Sequence, residues 1–191
     1  MRAAGLLVAL LGAAAAWASP PENVARDPDP GLLDLMRRGF EIAPESATET
    51  RALLALLDER LPADPAAGPP VLQAYRAALE GLLGKHGRLP WDKYKRTKAG
   101  LAKLDALVAA HPDSIEIRAL RFSFCSQLPD FFEQGPQAAA DLAVLAEQFE
   151  RGEDPAVAGT YRRDLIRWLL QRGNPAPGDR RKLEAALGAP E

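Results

Sequence analysis

From Gly31 onward the apolar residues recur at three- and four-residue spacings, punctuated by proline, glycine and capping side chains. That period is the helical one, in which positions i, i+3, i+4 and i+7 share a face. "GLLDLMRRGFEIA" puts Leu32, Leu35, Met36 and Phe40 together, with Gly39 weakening the middle. "SATETRALLALLDERL" opens on a capping box, Ser46 to Glu49, in which each side chain satisfies an orphan backbone N–H. It stops before "PADPAAGPP". A third helix covers roughly 70 to 86 and a fourth runs from about Asp92 to Ala110. After His111-Pro112 a second box, Asp113 to Glu116, starts a fifth. "PQAAADLAVLAEQFE" turns Leu142, Leu145 and Phe149 inward. In "DPAVAGTYRRDLIRWLLQRGNP" Asp154 is placed as N-cap, Pro155 at the first helical position and Gly173 past the end. Its inward face is Tyr161, Leu165, Trp168 and Leu169, with Arg162, Arg163 and Arg167 outside, and "GDRRKLEAALG" closes the chain. No segment joins β-branched enrichment to strict alternation between hairpin turns. The pattern predicts an all-α fold of antiparallel helix hairpins, stacked as a short solenoid or bundle.

The fifth helix is the unusual one. In "SIEIRALRFSFCSQLPDFF" Ile117, Leu120, Phe124 and Leu128 line one face, while Ile115, Ala119 and Phe122 line another. A helix apolar on two faces needs neighbours on both, so it belongs in the middle layer. Arg118, Arg121 and Cys125 form a narrow stripe between those faces. A desolvated guanidinium is costly unless a carboxylate receives it, and this helix offers none one turn from Arg121. The acids must come from elsewhere, with Asp105, Asp130 and Asp141 as suppliers. The competing reading leaves Arg118 and Arg121 facing a cleft that awaits an anionic ligand.

The first thirty residues do not fit the helical domain. "MRAAGLLVALLGAAAAWASPP" has one basic residue, an uncharged run shorter than the roughly 20 residues of a membrane span, and a small-x-small site at Ala16-Trp17-Ala18. It reads as a signal peptide cleaved after Ala18, with an uncleaved anchor as the alternative. Residues 19–30 are a proline-rich spacer and 31–191 a single helical domain. The expected location is therefore the periplasm or the medium. A net charge of −2 gives no global attraction to nucleic acid or membrane, so an electrostatic partner has to be drawn by a local patch. One cysteine excludes an intrachain disulfide, and in an oxidising compartment Cys125 has to be buried and inert.

Two resemblances bear on architecture. "GLAKLDALVAAHPDS" is similar to the second half of a tetratricopeptide repeat, with Gly100 at the small position, Leu104, Leu107 and the closing Pro112. Leu107 departs from the small residue of that family, and the first-helix signature is absent. From about Tyr75 to Gln148 the chain resembles a group of uncharacterised exported bacterial helical proteins. Their core, Pro-Asp-x-x-Glu-aliphatic-Arg-x-Leu-Arg, corresponds here to Pro112, Asp113, Glu116, Ile117, Arg118, Leu120 and Arg121. The resemblance implies a secreted helical domain and brings no activity.

Signals of catalysis are scarce. The chain has no HExxH, GxSxG, P-loop, GxGxxG or CxxC, so no catalytic or metal-ligating residue and no cofactor is assigned. His86 and His111 each fall at a helix end, where the dipole favours them. A Cys125–His111 nucleophile pair would need a lowered thiol pKa, whereas a deep helix raises it. The best interaction surface is "KHGRLPWDKYKRTKAGLAK", residues 85–103. There Trp91, Lys93, Tyr94, Lys95 and Arg96 head a basic cluster with only Asp92 opposing. Such a loop suits an anionic ligand, polymer or lipid headgroup, or else the chain's own acidic segment from Asp130 to Asp154. Export argues against nucleic acid. The sequence therefore points to an exported binding or scaffolding module of the bacterial cell envelope, taking a protein or peptide in a groove between helices. The alternative is a hydrolase or other enzyme that carries no recognisable motif.

Overall fold

The computed structural model describes residues 27–62, 67–152 and 154–188. Residues 1–18, expected to be a signal peptide, and most of the expected spacer lie outside the described residues, and so does Glu153. The described residues form eight α-helices and no strand: α1 (Pro30–Ile42), α2 (Ala47–Arg60), α3 (Pro70–Lys85), α4 (Pro90–Ala110), α5 (Ile115–Ser126), α6 (Gly135–Arg151), α7 (Gly159–Arg172) and α8 (Pro177–Gly188). The fold is all-α. Short 3₁₀ turns, Ala43–Glu45 and Asp130–Phe132, join α1 to α2 and lead into α6.

The capping chemistry is partly that read from the chain. Asp29, at the end of the spacer, accepts from the Leu32 amide at 2.7 Å and so belongs to α1. Ser46 accepts from the Glu49 amide at 3.1 Å, as the first box requires. The second box does not form. Ser114, not Asp113, caps α5 by accepting from the Ile117 amide, and Glu116 turns into the interior. Nor does Asp154 begin α7, which starts at Gly159. Asp154 instead accepts from Ala156 in its own turn and from the Ile115 amide at the start of α5. It thus caps a helix 39 residues away. α4 also begins earlier than its periodicity suggests, because Pro90 occupies the first turn, where no amide hydrogen is needed.

The α3–α4 hairpin is antiparallel. Along α3 and α4, Gly84 faces Thr97, Gly81 faces Gly100 and Glu80 pairs with Lys103, so numbers fall on one helix as they rise on the other. The two backbones are close: a methyl group on Gly100 would stand 2.7 Å from Gly81 Cα and 2.8 Å from the Ala77 carbonyl. Gly39 has the same use in α1, where Leu53 occupies the space a side chain would take. It is a packing site, not a weak point. α1 buries Leu33 and Met36, whereas Leu35 is left exposed.

α5 lies in the middle. It packs on α3, α4 and α6, and its Phe122 meets Trp168 of α7 edge-on at 5.5 Å. Both of its apolar faces are covered: Ile115, Ile117, Ala119, Leu120, Phe122 and Phe124 are all buried. Leu142, Leu145 and Phe149 of α6 are buried as the pattern requires. α8 lies along α6, tied by Lys182 to Glu147. Of the α7 arginines read as solvated, Arg162 points inward. It donates to the Ala186 and Phe149 carbonyls, satisfying the C-terminal groups of two other helices. One apolar cluster runs from α1 to α8.

Candidate ligand groove

The two guanidinium groups of α5 are occupied from within. Arg121 makes a two-pronged contact with Asp141 of α6, Nε to Oδ2 at 2.8 Å and Nη2 to Oδ1 at 2.6 Å, and reaches Asp105 of α4 at 3.1 Å. Arg118 donates to the same Asp141 at 3.1 Å and to the Pro112 carbonyl at 2.9 Å. Asp141 is fully buried and Arg121 nearly so. Burial works against the Arg121 cation, but the Asp141 hydrogen bond and charge, helped by Asp105, outweigh it and raise its pKa. Asp105 and Asp141 are thus the suppliers, while Asp130 sits exposed in the turn before α6. The stripe is a helix-to-helix lock.

A second buried cluster gives Glu116 its partners. Arg37 of α1 grips it through Nε at 2.9 Å and Nη2 at 2.6 Å, Tyr75 of α3 donates at 2.8 Å and Tyr161 of α7 at 3.2 Å. The Arg37 guanidinium lies 3.8 Å over the Tyr161 ring and also reaches the Ala156 carbonyl. Burial opposes the cation, yet Glu116 outweighs it and holds the Arg37 pKa above the ordinary arginine value. Burial is also what pushes both tyrosines up, reinforced by the Glu116 charge. Glu, Arg and two Tyr could serve an enzyme, but none of the four lines the cleft between the α3–α4 hairpin and the end of α5, or the one lined by Phe149, Arg162 and Ala186. Sequence reading missed this cluster because Glu116 looked like half of a capping box.

Cys125 is buried, with its Sγ 3.8 Å from Gln134 Oε1. Burial first, then the carboxylates of Asp141 and Asp105, pushes its thiol up to about 12, against the pull of Arg121. That is the opposite of an activated nucleophile. His111 caps α4, and His86 caps α3 with Nε2 3.0 Å from the Ala43 carbonyl. No cluster of metal-ligating side chains occurs among the described residues.

The site that remains is a cleft of about 550 Å³ between the α3–α4 hairpin and the end of α5. Its floor is Gly81, Gly84, Leu82 and Phe124; Phe40 and Pro44 form one wall, and Pro129, Phe131, Phe132 and Tyr94 the other. The floor exists because glycines let α4 approach α3 while Phe124 lies against Gly81. The outer wall is an aromatic strip. Trp91 stacks on Tyr94 at 6.2 Å, Tyr94 on Phe132 at 5.4 Å, and Phe132 abuts Phe131 at 4.6 Å. Thr97, Ser123 and Gln127 are the polar groups inside, and Lys85 and Lys93 stand on the rim.

Of the residues singled out in the basic segment, Lys93 and Tyr94 line this cleft, while Trp91, Lys95 and Arg96 lie exposed beside it. Arg118 and Arg121 do not line it. Among the described residues no ion pair joins the acidic 130–154 segment to the basic one: Lys85 pairs with Glu45, and Lys103 with Glu80. Phe131 and Phe132, missed as site residues, were signalled by an aromatic pair placed just after Pro129-Asp130, beyond the end of α5. Among the described residues no helix is long and apolar enough to cross a membrane. Compared with family models, curated proteins and solved structures, the chain matches none.

Proposed function

We propose that this protein is an exported helical binding module of the bacterial cell envelope, built from stacked helix hairpins. Its ligand is a small anion with an apolar body, held in the α3–α4–α5 groove. The observation that carries this reading is the contrast between the two arginine-bearing clusters and the groove. The interior cations are neutralised by Asp141 and Glu116, whereas Lys93, at the mouth of an apolar cleft, makes no ion pair with any described residue. A volume of about 550 Å³ suits a small molecule, and apolar walls with a few polar groups are the usual make-up of such sites. Export rests on the N-terminal pattern and on a lone cysteine that is buried.

Titration with anilinonaphthalene sulfonate, followed by competition, tests the groove. Saturable one-to-one binding is expected, with dodecanoate displacing the probe better than dodecanol. Ser123→Trp, which fills the groove from α5, should weaken binding by at least about tenfold, roughly 1.4 kcal/mol, with an unchanged circular dichroism spectrum. Unsaturable binding, or affinity unaffected by Ser123→Trp, would remove the reading. Mature protein recovered from the periplasm should begin at Ser19 by mass spectrometry.

A further inference from the structure

Four of the six exposed large apolar side chains among the described residues gather at one corner: Leu89, Trp91, Tyr94 and Phe131. Trp91 is 73% exposed, Phe131 69% and Leu89 63%, the highest values of the six. They are not scattered, because the stack from Trp91 through Tyr94 and Phe132 to Phe131 makes one continuous strip. On α4 the helical period sets Trp91, Tyr94, Lys95 and Lys98 within roughly one quarter of the circumference. Arg88, Lys93, Lys95, Arg96 and Lys98 are all exposed and make no ion pair with any described residue. Asp92, Asp130 and Glu133 are the acids nearby, fewer than the cations.

We propose that this corner docks on an anionic lipid bilayer, with Trp91, Leu89 and Phe131 at headgroup depth and the cations against lipid phosphates. Aromatic rings with one polar edge settle at the membrane–water interface, and juxtaposed lysines and arginines are attracted to anionic headgroups. The lysine stems lie along the apolar strip while their ammonium groups reach the phosphates. A second copy of the chain is a poor occupant, since self-association would set five free cations against five. A soluble polyanion would satisfy the charges and leave Leu89, Trp91 and Phe131 in water. The surface shares Lys93, Tyr94, Phe131 and Phe132 with the groove, but Leu89, Trp91, Lys95 and Lys98 do not line the groove, so Lys95→Glu/Lys98→Glu tests the surface without altering the groove lining. Either proposal can therefore fail alone.

The test uses protein recovered from an exporting host, its amino terminus checked by mass spectrometry. Co-sedimentation compares vesicles of phosphatidylglycerol mixed with phosphatidylcholine against phosphatidylcholine alone, at low and high salt. Binding to the anionic vesicles only, weakened by salt, is expected. Trp91→Ala/Phe131→Ala and Lys95→Glu/Lys98→Glu should each reduce partitioning by at least about tenfold. In a Trp168→Phe background, Trp91 emission should shift to shorter wavelength on the vesicles. Equal binding to neutral vesicles, binding that survives charge reversal, or an unshifted Trp91 would overturn the proposal. So would heparin binding as tight as vesicle binding and indifferent to Trp91→Ala, which would make the partner a soluble polyanion.

Discussion

Asp141 receives both arginines of α5 with no exposed surface of its own, so its charge cannot be replaced by water. Breaking a buried pair from one side costs about 3–5 kcal/mol, because the surviving charge stays desolvated. Asp141→Asn should lower stability by that amount in urea titrations. Asp105→Asn should do much less, its carboxylate being half exposed. Equal losses would show that the lock does not depend on burial. Three other side chains set an alkaline limit. Burial holds the Cys125 thiol and the Tyr75 and Tyr161 phenols above their ordinary values, so the folded state keeps protons that the unfolded chain gives up. Stability is therefore full below the unfolded pKa and falls as pH rises, from about 8.5 for the thiol and about 10 for the phenols. Urea midpoints should decline in that order, with Cys125→Ala removing the first part. A flat profile up to about pH 11 would contradict the burial of these groups.

Between α3 and α4 the deciding residue is Gly100. A helix-interior glycine replaced by alanine ordinarily gains up to about 1 kcal/mol in propensity. Here the new methyl would meet Gly81 Cα and the Ala77 carbonyl, both backbone. Overpacking of that kind costs about 1–3 kcal/mol, so Gly100→Ala should be a net loss, with a lower melting temperature by circular dichroism. At Gly81 the obstacle is the far end of the Phe124 ring, which can move, so Gly81→Ala should cost less. A stabilised Gly100→Ala would mean that the helices are not in such close contact. The sequence pattern carried the existence of nearly every helix, since their apolar periods are long and their proline stops sharp. Boundaries failed where a cap works at a distance: Asp154 reads as an N-cap beside Pro155, yet its carboxylate serves Ile115. The groove was half legible. Lys93 and Tyr94 stood out locally, but the opposite wall, Phe40 and Pro44, comes from another hairpin and leaves no mark near them.

Across the whole molecule, Glu116 draws one side chain from each odd-numbered helix: Arg37 from α1, Tyr75 from α3, itself from α5 and Tyr161 from α7. Its partners lie 79, 41 and 45 positions away, so no local pattern in the chain announces the cluster. Three donors on one buried carboxylate make it a junction that closes the first helix against the last third of the chain, reinforced where Arg37 reaches the Ala156 carbonyl. Removing Arg37 alone leaves the carboxylate buried with two phenols and no countercharge. Arg37→Met should therefore cost about 3–5 kcal/mol. The double change Arg37→Met/Glu116→Gln removes the charge along with its partner, and it should be more stable than Arg37→Met alone. Because the junction spans the chain, the loss should be global. Urea transitions followed by circular dichroism and by Trp168 fluorescence should shift together in Arg37→Met. If only α1 loosened, hydrogen exchange would accelerate there while α7 kept its protection, and the junction would be a local clasp on the first helix.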